Sequence, residues 1–326
     1  MATHPDTIRP ELDLESYRRE LTGYCYRMLG SGFDAEDAVQ ETMVRAWKSA
    51  DRLQDRAALK SWLYRIATNV CYDMLQGSQR RARPMDMGPA STAESALDPG
   101  LPAEAWVQPV ADANLDPAEL AASKETLRLA FVAALQHLPA RQRVVLILRE
   151  VLRWQATEVA ELLDTSVASV NSALQRARAT MDELELELDA GGPARVDEAG
   201  QQELLTRYVD AFERYDVARL VTLLKDDVVF NMPPFELWLQ GPDDVAKWML
   251  GPGIACKDAK LLTTRANGCP AVAIYKPDED GVWRPFNLAV LEIEGGEITL
   301  ITNFLDPELF PAFGLPTELT DSSSAA

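Results

Sequence analysis

Histidine is nearly missing from this chain: His4 and His137 are the only two among 326 residues. That scarcity argues against a histidine-based catalytic triad and against a multi-histidine metal site. Cysteine is scarce as well. Cys25, Cys71, Cys256 and Cys269 are scattered, and no pair has metal-ligand or redox-motif spacing, so neither a disulfide scaffold nor a zinc site is expected. No apolar run approaches the roughly 20 residues that span a bilayer. Met1–Glu20 is polar where a signal peptide would be apolar. These absences predict a soluble cytoplasmic protein with no metal, no cofactor and no membrane partner.

Positive charge is also short: 32 Lys and Arg stand against 51 Asp and Glu, a net charge of −19. The deficit is uneven. Residues 84–116 hold six acidic residues and no basic one, and residues 193–326 hold 22 acidic against 11 basic. Residues 57–83 are the opposite, with Lys60, Arg65, Arg80, Arg81 and Arg83 against Asp73 alone.

At 326 residues the chain exceeds one ordinary core of about 100–200 residues. Apolar spacing predicts three helices in residues 12–76. The first lies in residues 12–30, with apolar positions from Leu14 to Leu29, and is ended by Gly30 and Gly32. In the second, Asp34–Ala50, the residues Ala38, Val39, Thr42, Met43, Ala46 and Trp47 share one face. The third, Ala57–Gln76, carries a wide apolar stripe from Trp62 to Leu75. Residues 84–116 then read as a flexible Pro-rich linker, with Trp106 and Val107 as its one bulky pair suited to docking. Helices resume at Glu119–His137, Ala140–Val151, Thr157–Leu163 and Val167–Leu188. After Glu198–Tyr215 and Val217–Leu224, β-like alternation takes over at Val228–Met232, Ala259–Asn267, Ala271–Tyr275, Trp283–Glu294 and Ile298–Phe304, with a short helix at Val245–Leu250. Thr320–Ala326 reads as a disordered tail.

Thr157–Leu174 has helix-turn-helix spacing. Val159, Ala160 and Leu163 face inward, Asp164 and Thr165 turn the chain, and Ser166 can cap the next helix. Val170 and Leu174 anchor that helix, whose outer face presents Ser169, Asn171, Ser172, Gln175, Arg176 and Arg178. Such side chains suit base edges and phosphates in a major groove; a helical hairpin with a solvated face has the same pattern. Opposite the stripe of the third helix lie Ser61, Arg65, Thr68 and Tyr72, with Asn69 beside them and Arg80, Arg81 and Arg83 following. Cation, amide and ring together are the means of holding single-stranded nucleic acid, although a solvated helix face reads the same way.

Four segments taken together resemble the sigma-70 family of bacterial transcription initiation factors, in its extracytoplasmic-function group: Asp34–Trp47, Trp62–Cys71, Leu138–Leu146, and Ser166–Arg178 with its ending Leu-Gln-Arg-Ala-Arg. The resemblance implies all-α region-two and region-four domains, with core RNA polymerase and promoter DNA as partners. It implies that Asp37, Gln40 and Glu41 meet the beta-prime clamp. Leu53–Ala58 and Asn69 would hold a flipped base of the minus-ten element, and the helix-turn-helix would read the minus-thirty-five element. Two departures stand out. Asp164 replaces the usual turn glycine, and Asn171 and Ala173 occupy recognition-helix positions where Lys or Arg is common.

Residues 197–316 resemble a SnoaL-like domain, an α+β cone-shaped fold of the NTF2 superfamily, around Met232–Trp238. The resemblance implies an apolar pocket, with Phe230, Met232, Phe235, Trp238, Trp248, Trp283, Phe286 and Phe304 as candidate lining or plain core. Enzymes of that superfamily use an Asp, often with His. This part of the chain has no His, and Asp226, Asp227, Glu292 and Glu294 read as solvated acid, so no catalytic residue is assigned. The expected organisation is region two in 1–83, linker in 84–116, region four in 117–190 and the SnoaL-like domain in 191–326. That domain would touch the sigma domains within the chain and regulate them in cis. An anti-sigma partner cannot be named. Two alternatives stay open: a one-component DNA-binding regulator with a ligand-sensing domain, and a cyclase- or isomerase-like enzyme.

Overall fold

A computed structural model describes residues 12–53, 55–97, 99–184 and 198–320. The predicted tail after Thr320 and the end of the helix predicted to reach Leu188 lie outside these residues. The chain divides into two compact units: Met1–Ser78 with Asn114–Thr126 and Ala134–Leu186, and Gln79–Ala113 with Leu127–Ala133 and Glu187–Ala326.

In the first unit α1 (Arg18–Leu29) stops at Gly30, whose φ of 75° needs the freedom of glycine. Ser31 Oγ then accepts from the Asp34 amide and starts α2 (Gly32–Lys48). Ala35, Ala38, Val39, Thr42, Met43 and Ala46 bury one face of α2. Trp47 does not join them; at the last turn it leaves that face and is 59 % exposed. The third helix, α3 (Leu59–Leu75), follows a 3-10 turn at Arg56–Ala58 that is capped by Asp55.

The predicted helix Glu119–His137 is broken. Asp116 caps α4 (Pro117–Ser123), a 3-10 turn follows at Lys124–Leu127, and helix resumes in α5 (Leu129–Leu135), of which the residues up to Ala133 belong to the second unit. Glu119 is drawn away to the buried Arg27 of α1, whose Nη2 also donates to Thr126 Oγ1 at 2.8 Å. α6 (Ala140–Leu146) runs on as a π-helical turn through Val151. Its Arg143 is buried with carbonyl partners: Met28 O, Gln136 Oε1 at 2.8 Å and Leu138 O at 3.1 Å. Burial pushes that guanidinium down to about 10. α7 (Ala156–Leu162) and α8 (Val167–Glu183) complete the unit.

The second unit contains α9 (Glu198–Glu213), α10 (Val217–Val221), β1 (Leu224–Asn231), β2 (Trp238–Gln240), α11 (Pro242–Leu250), β3 (Lys260–Ala266), β4 (Cys269–Pro277), β5 (Trp283–Glu294), β6 (Glu297–Phe304) and α12 (Leu309–Ala312). The sheet order is β2-β1-β6-β5-β4-β3; β1 and β6 are parallel and the other pairs antiparallel. Leu261, Val272, Ile274, Ala289, Leu291 and Ile301 line one sheet face and share a core with Leu205, Tyr208 and Phe212 of α9 and Trp248 of α11.

Residues 84–116 are not a free tether over most of their length. Trp106, Val107, Val110 and Ala111 are buried. Ser91 N donates to Trp238 O, Leu101 N to Pro234 O, and Asn267 N to Val110 O at 3.1 Å. The hairpin turn Asn267-Gly268, with both φ positive, also receives Val110 N on Asn267 Oδ1 and gives Gly268 N to Asp112 Oδ1. Prolines that preclude a long helix leave backbone groups free for these bonds.

Candidate nucleic-acid and polymerase-binding faces

Within the first unit the outer side of α3 and the end of α7 line one open cleft of about 430 Å3. Arg65, Thr68, Asn69 and Tyr72 form one wall, and Glu161, Leu162, Leu163 and Asp164 the other. Arg65 Nη2 donates to Glu161 O at 2.7 Å, and the rings of Tyr64 and Trp154 meet at 5.0 Å. Arg65, Asn69 and Ser61 are exposed and Tyr72 half-buried. Thr68 departs from expectation. It is buried, donating to Tyr64 O at 2.6 Å and sharing a bond with Tyr24 Oη at 2.8 Å. A hydroxyl on a helix back-bonds readily to the preceding turn, and this one turns inward. Leu53 lies half-buried just after a 3-10 turn at Ala50–Arg52.

Lys60 of α3 pairs with Glu20; Arg80, Arg81 and Arg83 belong to the second unit. Arg81 is 8 % exposed and donates to Ala103 O at 2.9 Å and Trp106 O at 2.8 Å. Its charge therefore serves the backbone of the linker. Arg83 forks onto Asp86 at 3.0 Å, while Arg80 remains exposed.

In the helix-turn-helix, Asp164 takes the left-handed φ of 48° that a glycine would accept most easily. Ser166 Oγ accepts from Ser169 N at 3.2 Å. Asn171, Ser172, Gln175, Arg176 and Arg178 are exposed and Ser169 half-exposed. Ala173 is buried, so it sits on the inner side of α8 rather than at a base-reading position. Arg178 Nη2 lies 2.5 Å from Glu150 Oε1, and a cleft of about 510 Å3 is lined by Arg149, Asn171, Gln175 and Arg178. On α2, Asp37, Gln40 and Glu41 are exposed. Glu41 accepts from Arg45 Nε at 2.7 Å, and Arg45 reaches Asp73 at 3.0 Å.

Of the eight aromatic and Met positions of the second unit, five gather at one core and three do not. Phe230, Met232 and Trp248 are core, with Phe235 and Phe286 packed against it. Phe304 pairs with Leu288, while its neighbour Asn303 pairs with Ala289 of the core face, so Phe304 points to the other face. Trp238 Nε1 donates to Gly88 O. Trp283 lines an open cleft of about 410 Å3 with Glu213 and Lys260, and the Lys260 Nζ stands 3.6 Å from the ring centroid. A buried amide pair, Asn287 Nδ2 to Asn303 Oδ1 at 3.0 Å, was not anticipated; two Asn within otherwise apolar strands were its signal. Asp226 and Asp227 are exposed, as read. Glu292 is not: it is 8 % exposed, and burial raises its carboxyl above the usual range against the pull of Arg128 and Arg83. Among the described residues no group of His, Cys, Asp and Glu is placed to hold a metal.

Residues 14–81 match Sigma-70 region 2, residues 128–181 match Sigma-70 region 4, and residues 205–301 match the SnoaL-like domain. The ECF RNA polymerase sigma factor SigG of Mycobacterium tuberculosis is 43 % identical over 310 residues, covering 94 % of this chain and 83 % of SigG. The chain belongs to the ECF sigma factors. SigW of Bacillus subtilis is 32 % identical over 168 residues, 51 % of this sigma factor and 82 % of SigW. The crystal structure of the ECF sigma factor SigJ from Mycobacterium tuberculosis superposes with a TM-score of 0.59 at 22 % identity. It covers 94 % of this chain and 99 % of that one, a likeness of fold. No helix among the described residues is long and apolar enough to cross a membrane.

Proposed function

We propose that this sigma factor gives core RNA polymerase its promoter specificity in the cytoplasm, through three faces, under control of its own C-terminal domain. Asp37 and Gln40, with Glu41 braced by Arg45, meet the beta-prime clamp. Asn69, Arg65 and Tyr72 hold an unpaired base of the minus-ten element; an amide both donates and accepts on a base edge, and the contacts must offset an unstacking cost of a few kcal/mol. Asn171, Ser172, Gln175, Arg176 and Arg178 read the upstream duplex. The exposed Arg80 can add phosphate attraction; Arg81 is buried against two carbonyls and Arg83 forks onto Asp86. The observation that carries the reading is the exposure of Arg65 and Asn69 on α3 and of Asn171, Ser172, Gln175, Arg176 and Arg178 on α8, helices whose other faces are core.

Control in cis is supported by the makeup of the second unit. Residues 79–113 and 127–133, which lie outside the SnoaL-like match, share that compact unit with it. No catalytic role is assigned to the SnoaL-like domain, whose buried Glu292 stands against a cation rather than beside a polarising donor. The test is run-off transcription with core polymerase on DNA recovered with the polymerase-bound protein. Initiation should depend on this chain and change when it is truncated after Gly192. If transcription requires a different sigma factor to be present, the reading is wrong.

A further inference from the structure

Glu292 lies on β5, and the groups facing it come from elsewhere in the sequence. Arg128 Nη1 is 3.6 Å from Glu292 Oε2 and 3.3 Å from Glu294 Oε1. The charge of Arg83 also reaches Glu292, while Glu294 opposes it. Glu292 Oε1 has no hydrogen-bond partner in the protein. Next to Arg128, Leu127 gives its carbonyl to Asn267 Nδ2 at 2.7 Å, and Leu127 and Val132 are fully buried. All of these residues belong to the second compact unit. Arg128 is also the first residue of the region-four match, and Arg83 stands just past the end of the region-two match.

A carboxylate this deep persists only with a counter-charge or a proton. Arg128 is placed to be that counter-charge, and it is carried by the segment that opens region four. We infer that Glu292 is the holding point for the start of region four. Its buried carboxylate requires Arg128, and with it residues 127–133, on the SnoaL-like sheet, and taking Arg128 away while that carboxylate stays charged opens the segment. This rests on the reading that the domain acts in cis. It adds the residue through which it acts, and the kind of stimulus that suits it is one that competes for Arg128 or leaves Glu292 without it.

The asymmetry between the partners makes the idea testable. Removing Arg128 strands a buried charge, whereas Glu292→Gln removes the charge and keeps the shape. In the full chain, amide hydrogen exchange of residues 127–133, corrected for intrinsic rates, should speed up at least about tenfold at pH 7.5 in Arg128→Met. Glu292→Gln should stay protected. The double variant Arg128→Met/Glu292→Gln should return to within about threefold of the parent, since neither charge is then stranded. The excess exchange of Arg128→Met should also shrink in acid, where Glu292 takes up a proton. Parent-like protection in Arg128→Met, or a double variant as open as the single, overturns the inference. Run-off transcription of the same proteins beside the chain truncated after Gly192 separates the two levels. Equal activity in all of them overturns control in cis itself. A change on truncation with none in Arg128→Met overturns only the part given to Glu292.

Discussion

Trp106→Ala tests whether residues 84–116 are a tether or part of a folded unit. Trp106 is 2 % exposed, and truncating a buried Trp costs about 3–5 kcal/mol. Its indole N–H is buried without a hydrogen-bond partner, a native-state penalty of about 1–3 kcal/mol that the substitution removes. The net loss should be about 2 kcal/mol, or on the order of 5 °C in the transition of the second unit. Trp106→Phe keeps most of the ring and discards the unpaired N–H, so it should stay within about 1 kcal/mol of the parent. Trp47→Ala is the control: with 59 % of that side chain exposed, the change should be within about 0.5 kcal/mol. Differential scanning calorimetry of the full chain resolves the transitions of the two units. If Trp106→Ala costs no more than Trp47→Ala, the linker is free in solution and the packing argument fails.

Asn69→Ala should damage promoter melting more than closed-complex formation, read by permanganate footprinting; lost polymerase binding with unchanged melting would refute the role given to Asn69. Arg176→Ala should lower the salt slope of DNA binding by about 1, and Arg178→Ala by less because Glu150 already holds that side chain; equal effects would remove the pairing from the argument. Asp164→Val should destabilise the first unit by about 1–2 kcal/mol, whereas Asp164→Gly should be neutral or stabilising, because the φ of 48° suits glycine and not a β-branched residue; urea denaturation decides it. Burial raises the Glu119 carboxyl above its ordinary 4.5 despite Arg27. Its contribution is therefore largest below pH 4.5 and falls as pH rises through the raised value. Glu119→Gln should flatten that part of the stability–pH curve, and an unchanged slope would show that Glu119 is not its source.

Periodicity made much of the fold legible. Trp283–Glu294 is the strand its alternation predicted, and Ser166 with Asp164 marked the helix-turn-helix because caps and left-handed turns are chosen by adjacent residues. Errors gather where a distant partner outweighs local preference. The helical spacing of Glu119–His137 is real, yet the buried Arg27 holds Glu119 and Thr126, and the Asn267 turn holds the Leu127 carbonyl. Composition likewise pointed to a free linker in 84–116, because Pro and acidic residues oppose regular structure. Composition is silent on backbone bonds to a sheet edge and a hairpin turn, which is how that segment is held.

Charge was the least legible property, and for one reason. A sequence gives the number and spacing of charges, but the energy of each depends on how much water it keeps and what stands within a few ångström. Arg81 and Arg176 look equivalent in sequence, both lying in basic runs after helical segments. In the structure Arg81 gives its guanidinium to two carbonyls out of water, and Arg176 stays exposed. The first cannot serve a phosphate without unfolding its surroundings; the second can. Glu292 and Asp227 diverge in the same way: the first is buried against Arg128, the second stays in solvent beside Lys225 at 3.5 Å. Reversing Asp227 should therefore change little, because a solvated pair contributes at most about 1 kcal/mol. The same reversal at Glu292 would set two cations together away from water. If regulation in this sigma factor has an electrostatic seat, it belongs at the carboxylate that water does not screen.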